Sequence, residues 1–453
     1  MYSSLEKLMP SLTNAEILSD ANFNGISINS RELLPGNLFV AIKGHNFDAH
    51  DFLDDAFNKG AAAVIAERIP SDFKRPAITV PNTRFALGQI AKYWRGHFKI
   101  PIIGVTGSNG KTTVKEMISS IFLEAFGETN YLSTFQNFNN DIGVPLTLFS
   151  LKKNHKAAVL EIGMNQPGEI KNNSNIISPT IALVINAQRE HLEFMENIKN
   201  IATENGEVIK SLNKFGKAIY PSDDTFTWLW KKYTGRRKSL TFGFCNEANI
   251  RCSWETKKNF SQINIEFEKK KFTINLNVPG IHNIRNALAA CAACFALEID
   301  EKYIKDGLES FKPINGRLQY KTAFNGALVI DDTYNANPDS VRAAIDVLSR
   351  YSSPKILILG DMAEMGNVSI STHAEIGEYA KNCNIDHVYT LGNYVKYASL
   401  NFGEKANHYE NLNQLKKFLK NISPEANILI KGSRFMRMEL VVKYLTETLK
   451  EGN

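Results

Sequence analysis

The sequence predicts an α/β protein of three domains, each with a largely parallel sheet covered by helices. The chain has 453 residues, too many for one compact core, and this length alone suggests about three domains. Short apolar runs alternate with segments of helical apolar spacing along most of the chain. This alternation is typical of parallel sheets that are buried on both faces.

The first domain is predicted to cover residues 1–98. Its apolar runs are bounded by polar and glycine-containing segments, as strands usually are. Its last helix repeats apolar residues three and four positions apart. The predicted strands are 37–43, 61–66 and 78–80, and the predicted helices are 51–59 and 83–98.

The second domain is predicted over residues 99–312 and begins with a buried strand at 100–105. Strands at 157–160 and 181–185 are each followed by helix-like sequence, which favours a parallel sheet. Between residues 216 and 279 the pattern changes to short alternating segments, and we expect antiparallel hairpins attached to the same domain. The predicted helices are 114–126 and the Ala-rich segment 284–297.

The third domain is predicted over residues 313–453 as a doubly wound, Rossmann-like unit. It lacks the G-x-G-x-x-G fingerprint of dinucleotide sites. Its apolar strands alternate with amphipathic helical segments. The predicted strands are 328–330, 356–359, 387–391 and 428–430, and the predicted helices are 339–351, 372–383, 411–421 and 436–450.

Composition argues against several classes of protein. The net charge of +6 is mild, and the basic clusters at 231–238 and 269–271 are not interleaved with aromatic residues along a groove-like face. We therefore expect no nucleic acid partner. No apolar stretch approaches the ~18 residues of a membrane span. The five cysteines form no metal pattern, and an odd number without a signal peptide favours a reducing cytoplasm.

The stretch GVTGSNGKTT at 104–113 predicts a phosphate-binding loop between a strand and a helix. Its glycines let main-chain N–H groups turn inward, and the helix N-terminus and Lys111 supply positive charge. Thr112 stands where a hydroxyl would hold Mg²⁺. Val105 replaces the first glycine of the common pattern G-x-x-x-x-G-K-[ST], and a plain glycine turn with a solvated lysine is the alternative. The predicted nucleotide ligands in the loop are Gly107, Ser108, Asn109, Gly110, Lys111, Thr112 and Thr113.

Two further polar residues follow predicted strands of the second domain. Glu161 ends the strand at 157–160, and His191 follows the strand at 181–185 through a short loop. Ligands bind at the carboxyl edge of a parallel sheet, and a hard cation beside a triphosphate takes oxygen ligands. Glu161 is therefore a candidate Mg²⁺ ligand, with a solvated carboxylate as the alternative. For His191 a functional role and a structural role remain equally open.

Several motifs carry a resemblance to a known family. The motifs TGSNGKTT at 106–113, EIGMN at 161–165 and NAQREH at 186–191 resemble the ATP and metal motifs of the Mur ligases, the ATP-dependent amide ligases that build the peptidoglycan peptide. Other stretches resemble the family member that adds a D-alanyl-D-alanine dipeptide. These are SR at 30–31, LPGNLFVAIKG at 34–44, FDAHDF at 47–52, NFNNDIGVP at 137–145, DDTYNANP at 331–338, LGDMAEMG at 359–366 and KGSRFMRM at 431–438.

The resemblance implies a reaction, its substrates and its cofactors. The γ-phosphoryl group of ATP passes to a carboxylate of a UDP-N-acetylmuramoyl-tripeptide, and D-alanyl-D-alanine attacks the acyl phosphate. ATP and Mg²⁺ are the expected cofactors. The first domain is expected to bind the UDP-muramoyl substrate, the second ATP and the third the dipeptide. The implied catalytic residues are Lys111, Glu161, His191 and Lys431, and the implied metal ligands are Thr112, Glu161 and His191.

Secondary contacts are also implied by the resemblance. Helix capping is the alternative for Asn283, and an exposed structural lysine is the alternative for Lys431. The implied nucleotide ligands outside the glycine loop are His282, Asn283, Asn286, Arg317 and Asp332. The implied substrate ligands are Ser30, Arg31, Thr134, Asn139, Asn140, Tyr334, Asn335, Asn337 and Ser433.

Some positions depart from the family pattern. Asn205 stands where many Mur ligases carry a carbamoylated lysine that bridges two metals, and an amide cannot form a carbamate. Glu204 or Glu207 is then a candidate to help hold a second metal. The other departures are Asn29, Gln136 and Gln166, which replace an aspartate, a glycine and a histidine of the pattern.

Two other functions remain open from the sequence. A ligase of the folylpolyglutamate synthetase type shares the loop and the chemistry but generally lacks a separate first domain. A nucleotide-dependent switch or binding protein would use ATP without amide synthesis, whereas Glu161, His191 and Lys431 favour catalysis. We expect a cytoplasmic monomer that acts on small-molecule substrates.

Overall fold

The computed structural model describes residues 1–44, 46–257 and 260–447. It contains sheets of five, nine and six strands in successive regions of the chain, and a short two-stranded pair near the N-terminus. This arrangement confirms the three-domain α/β class that the sequence predicts. Part of the helix predicted at 436–450 lies outside the described residues.

The five-stranded sheet belongs to the N-terminal region. The strands of this region are β1 (Ser3–Ser4), β2 (Glu16–Ser19), β3 (Asn22–Phe23), β4 (Gly25–Ser27), β5 (Asn37–Val40), β6 (Ala63–Ala66) and β7 (Ala77–Thr79), and its helices are α1 (Leu5–Leu8), α2 (Leu53–Asn58) and α3 (Thr83–Arg95). The sheet order is β2-β7-β6-β5-β4, with β2 antiparallel at one edge. The pair β1 and β3 lies beside it. Asn82 caps α3 by accepting a hydrogen bond from the N–H of Phe85.

The nine-stranded sheet forms the central region. Its strands are β8 (Ile102–Thr106), β9 (Tyr131–Ser133), β10 (Ala157–Glu161), β11 (Ile181–Val184), β12 (Lys217–Pro221), β13 (Lys238–Phe242), β14 (Ile250–Thr256), β15 (Ser261–Phe267) and β16 (Lys270–Leu276). Its helices are α4 (Lys111–Phe126), α5 (Gly143–Phe149), α6 (Glu169–Ile177), α7 (Leu192–Met195), α8 (Ile198–Asn205), α9 (Glu207–Lys210), α10 (Thr227–Thr234), α11 (Ile281–Ala296) and α12 (Glu301–Ser310). The order is β16-β15-β14-β13-β12-β11-β8-β10-β9.

The prediction of antiparallel hairpins over residues 216–279 is correct only in part. Strands β14, β15 and β16 pair antiparallel, whereas β12 and β13 extend the parallel sheet. Burial explains the difference, because Ala218 and Ile219 lie in the cores on opposite faces of the sheet. A strand that is covered on both faces belongs to a parallel sheet rather than to an exposed hairpin.

The six-stranded sheet forms the C-terminal region. Its strands are β17 (Gln319–Thr322), β18 (Leu328–Asp332), β19 (Lys355–Gly360), β20 (His387–Leu391), β21 (Ala406–Tyr409) and β22 (Asn427–Lys431), and its helices are α13 (Pro338–Leu348), α14 (Ser369–Asn382), α15 (Lys396–Phe402), α16 (Leu412–Leu419) and α17 (Glu439–Glu447). The order is β17-β18-β22-β19-β20-β21, with β17 antiparallel. Separate hydrophobic cores cover its two faces, as a doubly wound sheet requires.

Contacts join the three regions. Helix α3 packs against α5 and α6, and Arg84 Nε lies 3.0 Å from Asp141 Oδ2. The central and C-terminal sheets meet at their carboxyl edges, which is where ligands bind in such folds. None of the helices in the described part of the chain has both the length and the apolar character that crossing a bilayer requires.

Candidate active site

A cleft of about 940 Å³ separates the carboxyl edges of the central and C-terminal sheets. Loops after β8, β10 and β11 contribute to one wall, and loops after β18 and β22 contribute to the other. Most of the predicted site residues line this cleft: Ser108, Asn109, Gly110, Lys111, Thr112, Thr113, Asn139, Asn140, Glu161, His191, His282, Asn283, Asn286, Arg317, Asp332, Tyr334, Asn335, Asn337 and Lys431.

The glycine loop between β8 and α4 has the backbone that close approach to a phosphate requires. Gly107 has φ of +143° and Gly110 has φ of +89°. A Cβ on Gly107 would lie 3.1 Å from Asn186 N, and one on Gly110 would lie 2.4 Å from Asn286 Oδ1. The backbone conformation therefore disfavours a side chain at both positions, and at Gly110 a Cβ would also overlap Asn286. Helix α4 begins at Lys111, so its free N–H groups favour an anion beside the loop.

Lys111 is held by oxygens of its own domain. Its Nζ donates to Gly107 O at 2.5 Å and to Ser108 O at 3.1 Å, and lies 3.3 Å from Glu190 Oε2. Glu190 is buried, and its Oε1 has no hydrogen-bond partner among the described residues. An incoming phosphate would compete with these oxygens for the ammonium group.

Glu161 ends β10 and is almost fully buried. Its Oε1 accepts a hydrogen bond from Asn139 Nδ2 at 2.8 Å, while its Oε2 is buried without a partner in the part of the chain that the structure describes. Thr134 Oγ1 accepts from the Glu161 N–H at 2.9 Å, so this buried threonine fixes the main chain of the glutamate. The unpaired carboxylate oxygen has the chemistry of a Mg²⁺ ligand.

The residues of the cleft fit Mg²⁺ better than they fit a metal ion whose ligands all come from the protein. Mg²⁺ usually takes one or two carboxylates and completes its shell with waters and substrate phosphates. Glu161 and the Thr112 hydroxyl supply that small number of protein oxygens. Across residues 1–44, 46–257 and 260–447, no group of three or more His, Cys, Asp and Glu side chains converges as a metal site.

Arg317 connects the domain linker to the first turn of α4. Its Nη2 donates to Thr112 Oγ1 at 3.0 Å, and its guanidinium carbon lies 4.4 Å from the centroid of the Tyr334 ring. The arginine therefore places a positive charge beside the predicted phosphate position, where it can pair with an oxyanion.

His191 lies in a left-handed backbone conformation, with φ of +48°. Its Nδ1 is hydrogen-bonded to Glu364 of the C-terminal sheet region, and this bond lowers the pKa of Glu364. The other ring nitrogen, Nε2, lies 3.8 Å from Glu190 Oε2. A histidine whose Nδ1 bonds a carboxylate presents Nε2 as its ligand atom, which is the usual arrangement of metal-binding histidines.

Lys431 and Asp332 form a buried pair at the ends of neighbouring strands β22 and β18. Lys431 Nζ donates to Asp332 Oδ2 at 2.5 Å and to Asn335 O at 2.9 Å. Burial raises the pKa of Asp332, although the ammonium opposes that shift. Burial and the charges of Lys431 and Arg350 lower the pKa of His282 to about 4. The alternative of an exposed lysine at 431 is wrong.

Asparagine amides connect other parts of the cleft. Asn337 Nδ2 donates to Asn109 Oδ1 at 2.8 Å, and Asn109 Nδ2 donates back to Asn337 Oδ1 at 3.2 Å, so the glycine loop is paired with the N-cap of α13. Asn283 Oδ1 accepts from Asn286 Nδ2 at 3.1 Å. Helix α11 is capped by Gly280 rather than by Asn283. Asn140 Oδ1 accepts from the Gly143 N–H at 2.8 Å, at the start of α5.

Five predicted residues lie outside the described cleft lining: Gly107, Thr134, Ser433, Ser30 and Arg31. Ser433 is buried, accepts from the Ala363 N–H at 2.7 Å and donates to Ala336 O at 3.2 Å, so it joins two loops. Arg31 is exposed in the N-terminal region, and its N–H donates to Asn29 Oδ1 at 3.0 Å.

The region of Asn205 differs from expectation. Asn205 is fully buried behind the glycine loop, where its Oδ1 accepts from Thr106 Oγ1 at 2.7 Å. Glu204 Oε1 accepts from the Ile170 N–H at 2.9 Å, and Glu207 lies 2.5 Å from Lys210. The structure does not support the expectation that these glutamates help hold a second metal, because Glu204 bonds to α6, Glu207 pairs with Lys210 of its own helix, and neither is among the described residues that line the cleft.

Several cleft residues were not predicted individually. Glu190, Asn186 and Gln188 contact the glycine loop, and Glu364 contacts His191. The motifs NAQREH and LGDMAEMG contain all four residues, so polar positions after a strand were the available signal. The structure adds the partners, which lie far away in the sequence.

These features define a class of protein, a nucleotide-dependent α/β enzyme whose site is shared by a P-loop domain and a C-terminal Rossmann-like domain. Sequence models described as Mur ligase family, catalytic domain, as Mur ligase middle domain and as Mur ligase, glutamate ligase domain match residues 22–95, 105–294 and 316–434. The UDP-N-acetylmuramoyl-tripeptide–D-alanyl-D-alanine ligase of Buchnera aphidicola subsp. Baizongia pistaciae is 38% identical over 439 residues, which cover 96% of this chain and 94% of the relative. The chain belongs to the Mur ligase family.

Solved structures agree with this assignment. A crystal structure of MurF from Acinetobacter baumannii has a TM-score of 0.92 and 31% identity, and the match covers 98% of this chain and 99% of that chain. The MurF ligase from Thermotoga maritima, in complex with ADP, has a TM-score of 0.84 and 28% identity over 94% of this chain and 98% of that chain. As a Mur ligase, the chain is an ATP-dependent enzyme that forms amide bonds.

Proposed function

We propose that this ligase joins D-alanyl-D-alanine to a UDP-N-acetylmuramoyl-tripeptide, giving the UDP-muramoyl pentapeptide, ADP and phosphate. The cleft carries the proposal, because the glycine loop with Lys111 lies on one wall and the buried pair of Lys431 and Asp332 on the other. A single cavity can therefore hold a nucleotide, a carboxylate to be activated and an amine that attacks it. The named relatives support this choice of substrates.

Activation of the carboxylate falls to the central domain. In the proposed step a tripeptide carboxylate oxygen bonds to the γ-phosphorus of ATP, and the bond to the leaving ADP oxygen breaks. Lys111 exchanges its contacts with Gly107 O and Glu190 for the transferring phosphoryl group, and Arg317 adds a second positive charge. Such positioning and charge compensation provide most of the catalysis in phosphoryl transfer.

A magnesium ion would be held by Glu161 Oε2 and the Thr112 hydroxyl, with His191 Nε2 as a further ligand for metal. When bound, Mg²⁺ neutralises phosphate charge and orients the triphosphate. Asn139 and Thr134 fix the Glu161 carboxylate and main chain in advance, so little reorganisation is needed on binding.

Amide formation falls to the C-terminal domain. The dipeptide amine attacks the carbonyl carbon of the acyl phosphate, loses a proton, and the carbon–oxygen bond to phosphate breaks. Lys431 provides a buried positive charge on the wall that receives the dipeptide, and Asp332 and the Asn335 carbonyl fix its ammonium group. Tyr334, Asn337 and Ser433 belong to the same two loops, and we propose that these loops shape the dipeptide pocket.

The first domain is proposed to bind the uridine nucleotide through the loop of Ser30 and Arg31. Arg31 is exposed at this loop, so its guanidinium is available to a phosphate. We also propose that the enzyme acts in the cytoplasm, where ATP and nucleotide-linked precursors are available, and that it works as a monomer because one chain supplies both walls of the cleft.

Phosphate release measured with purified enzyme tests the proposal. We expect release that requires ATP, Mg²⁺, UDP-muramoyl tripeptide and D-alanyl-D-alanine together. Phosphate release that needs glutamate and a folate would instead support the folylpolyglutamate synthetase alternative. Phosphate release from ATP alone, with no peptide or folate substrate present, would support a nucleotide switch. Positional isotope labelling of the tripeptide carboxylate should move one labelled oxygen into the phosphate, and an unlabelled phosphate would contradict the acyl phosphate.

A further inference from the structure

The segment of residues 186–191, between β11 and α7, contacts two domains with alternate side chains. Asn186, Gln188 and Glu190 bond to the glycine loop, whereas Arg189 and His191 bond to the C-terminal domain. The partners of these side chains are Asn109 for Asn186 and Gln188, Lys111 for Glu190, Asp339 and Glu375 for Arg189, and Glu364 for His191.

Arg189 makes the most extensive of these contacts between domains. Its Nε and Nη2 donate to Asp339 Oδ1 at 3.2 and 2.8 Å, and its Nη1 and Nη2 donate to the two oxygens of Glu375 at 2.7 and 3.1 Å. Its main-chain N–H also donates to Asp339 Oδ2 at 2.8 Å. Burial alone would lower the pKa of Arg189, but the two carboxylates raise it. One guanidinium therefore binds two carboxylates in the forked geometry that only arginine provides.

The two carboxylates lie on different helices of the C-terminal domain. Asp339 is in the first turn of α13, two residues after Asn337, whose amide pairs with the glycine loop. Glu375 is on α14 and also accepts from Arg342 Nη1 at 3.0 Å. Arg342 belongs to the same domain as Glu375, so its bond does not cross the cleft. The fork of Arg189 thus fixes two helices of one domain to the segment that lines the nucleotide site of the other.

We propose that Arg189 is a positioning residue that holds the C-terminal domain over the glycine loop and thereby sets the distance between the nucleotide and the wall that carries Lys431. The geometry points to this role because neighbouring residues of the same short segment contact Ser108 and Lys111 directly. The part of this inference that concerns D-alanyl-D-alanine binding rests on the proposed function.

Removing the Arg189 side chain should affect nucleotide binding and dipeptide binding differently. The glycine loop keeps its own contacts when the Arg189 side chain is removed, so ADP should bind to the central domain with nearly unchanged affinity. The dipeptide must then bind to a domain that is closed for a smaller fraction of the time, so its KM should rise and kcat should fall. Loss of one forked contact between domains gives an expected combined effect of about tenfold on kcat/KM for the dipeptide.

The test compares Arg189→Ala with Arg342→Ala, which removes a similar arginine–glutamate bond inside one domain. With ADP and Mg²⁺ present, small-angle X-ray scattering should give a larger radius of gyration for Arg189→Ala than for the wild type and Arg342→Ala. Arg189→Lys keeps the charge but not the fork, and we expect partial recovery of kcat/KM. Far-UV circular dichroism and ADP affinity confirm that each variant is folded.

Two results would overturn the inference. One is wild-type scattering and wild-type KM for the dipeptide in Arg189→Ala. The other is an equal loss in Arg342→Ala, because that variant leaves the contact between domains intact. The scattering comparison needs no dipeptide, so it still decides the role of Arg189 if the wild type releases no phosphate with D-alanyl-D-alanine and the proposed function fails.

Discussion

Replacing Lys111 with alanine tests the phosphate-binding assignment most directly. The substitution removes an ammonium group that can follow the charge of the transferring phosphoryl group. Loss of such a charge from a preorganised site costs about 4 kcal/mol of transition-state stabilisation, which corresponds to about a thousandfold in turnover. We therefore expect kcat to fall by about three orders of magnitude in the phosphate-release assay.

The same substitution should also affect stability, and the structure gives the size of the effect. The Glu190 side chain is 7% exposed and the Lys111 side chain 15%, so alanine leaves a nearly buried carboxylate without its ammonium partner. Removing one member of a buried pair costs about 3–5 kcal/mol. The separation of 3.3 Å and the partial exposure favour a smaller value, about 1–2 kcal/mol in the free energy of unfolding.

A double variant separates the two effects. Adding Glu190→Gln removes the isolated carboxylate, so the double variant should regain most of the lost stability in urea unfolding while its turnover stays low. Lys210→Ala is the control, because it removes a lysine–glutamate pair of the same domain that lies outside the cleft lining, and it should leave turnover unchanged. Near-normal phosphate release by Lys111→Ala would refute the role of the loop.

Three further outcomes are expected. Gly110→Ala should weaken ADP binding in calorimetry by about tenfold, because its backbone is left-handed and the new Cβ would lie 2.4 Å from Asn286 Oδ1; unchanged affinity would count against the tight loop. Lys431→Met should lower the free energy of unfolding more at about pH 8 than at about pH 5. The variant leaves the buried Asp332 without its ammonium partner, and because burial raises the folded-state pKa of Asp332, its ionisation costs stability as pH rises; an equal loss at both pH values would contradict this. The pKa of Asp48 is lowered from 3.8 to about 2, because hydrogen bonds from His50 and Arg68 outweigh the opposing effect of burial. This carboxylate therefore contributes stability that is lost as pH falls from 3.8 through about 2, and Asp48→Asn should abolish that part of the acid unfolding curve.

The fold was predictable wherever burial left a periodic pattern. Strands β10 and β11 are continuous apolar runs covered on both faces, and they appear close to their predicted positions. Strand β2 is exposed at all four positions, and β17 alternates only between partial and full exposure, so neither has the buried face that gives a strand its alternating apolar pattern. Edge strands of this kind are defined by their partners rather than by their own sequence.

The placement of candidate residues in the cleft was predictable at positions where one residue type has a restricted chemistry. Lys111 after a glycine loop and Glu161 at a strand end could be proposed as site residues without knowing their partners, and both line the cleft. The fork of Arg189 could not be found in this way, because its partner Asp339 lies 150 residues further along the chain and each residue alone resembles a solvated charge. The pairing of Asn109 with Asn337, separated by 228 residues, has the same explanation.

The contacts of the cleft differ in whether a bound phosphate would compete with them. Lys111 cannot hold both Glu190 and a phosphoryl group at full strength, so nucleotide binding must rearrange that pair. The bonds of Arg189 with Asp339 and Glu375 use donors that point to the C-terminal domain, so the same nucleotide leaves them intact. Nucleotide binding can therefore free the buried Glu190 carboxylate from Lys111 while the Arg189 bonds still join the two domains, and low solvent exposure strengthens the attraction of that carboxylate to a cation.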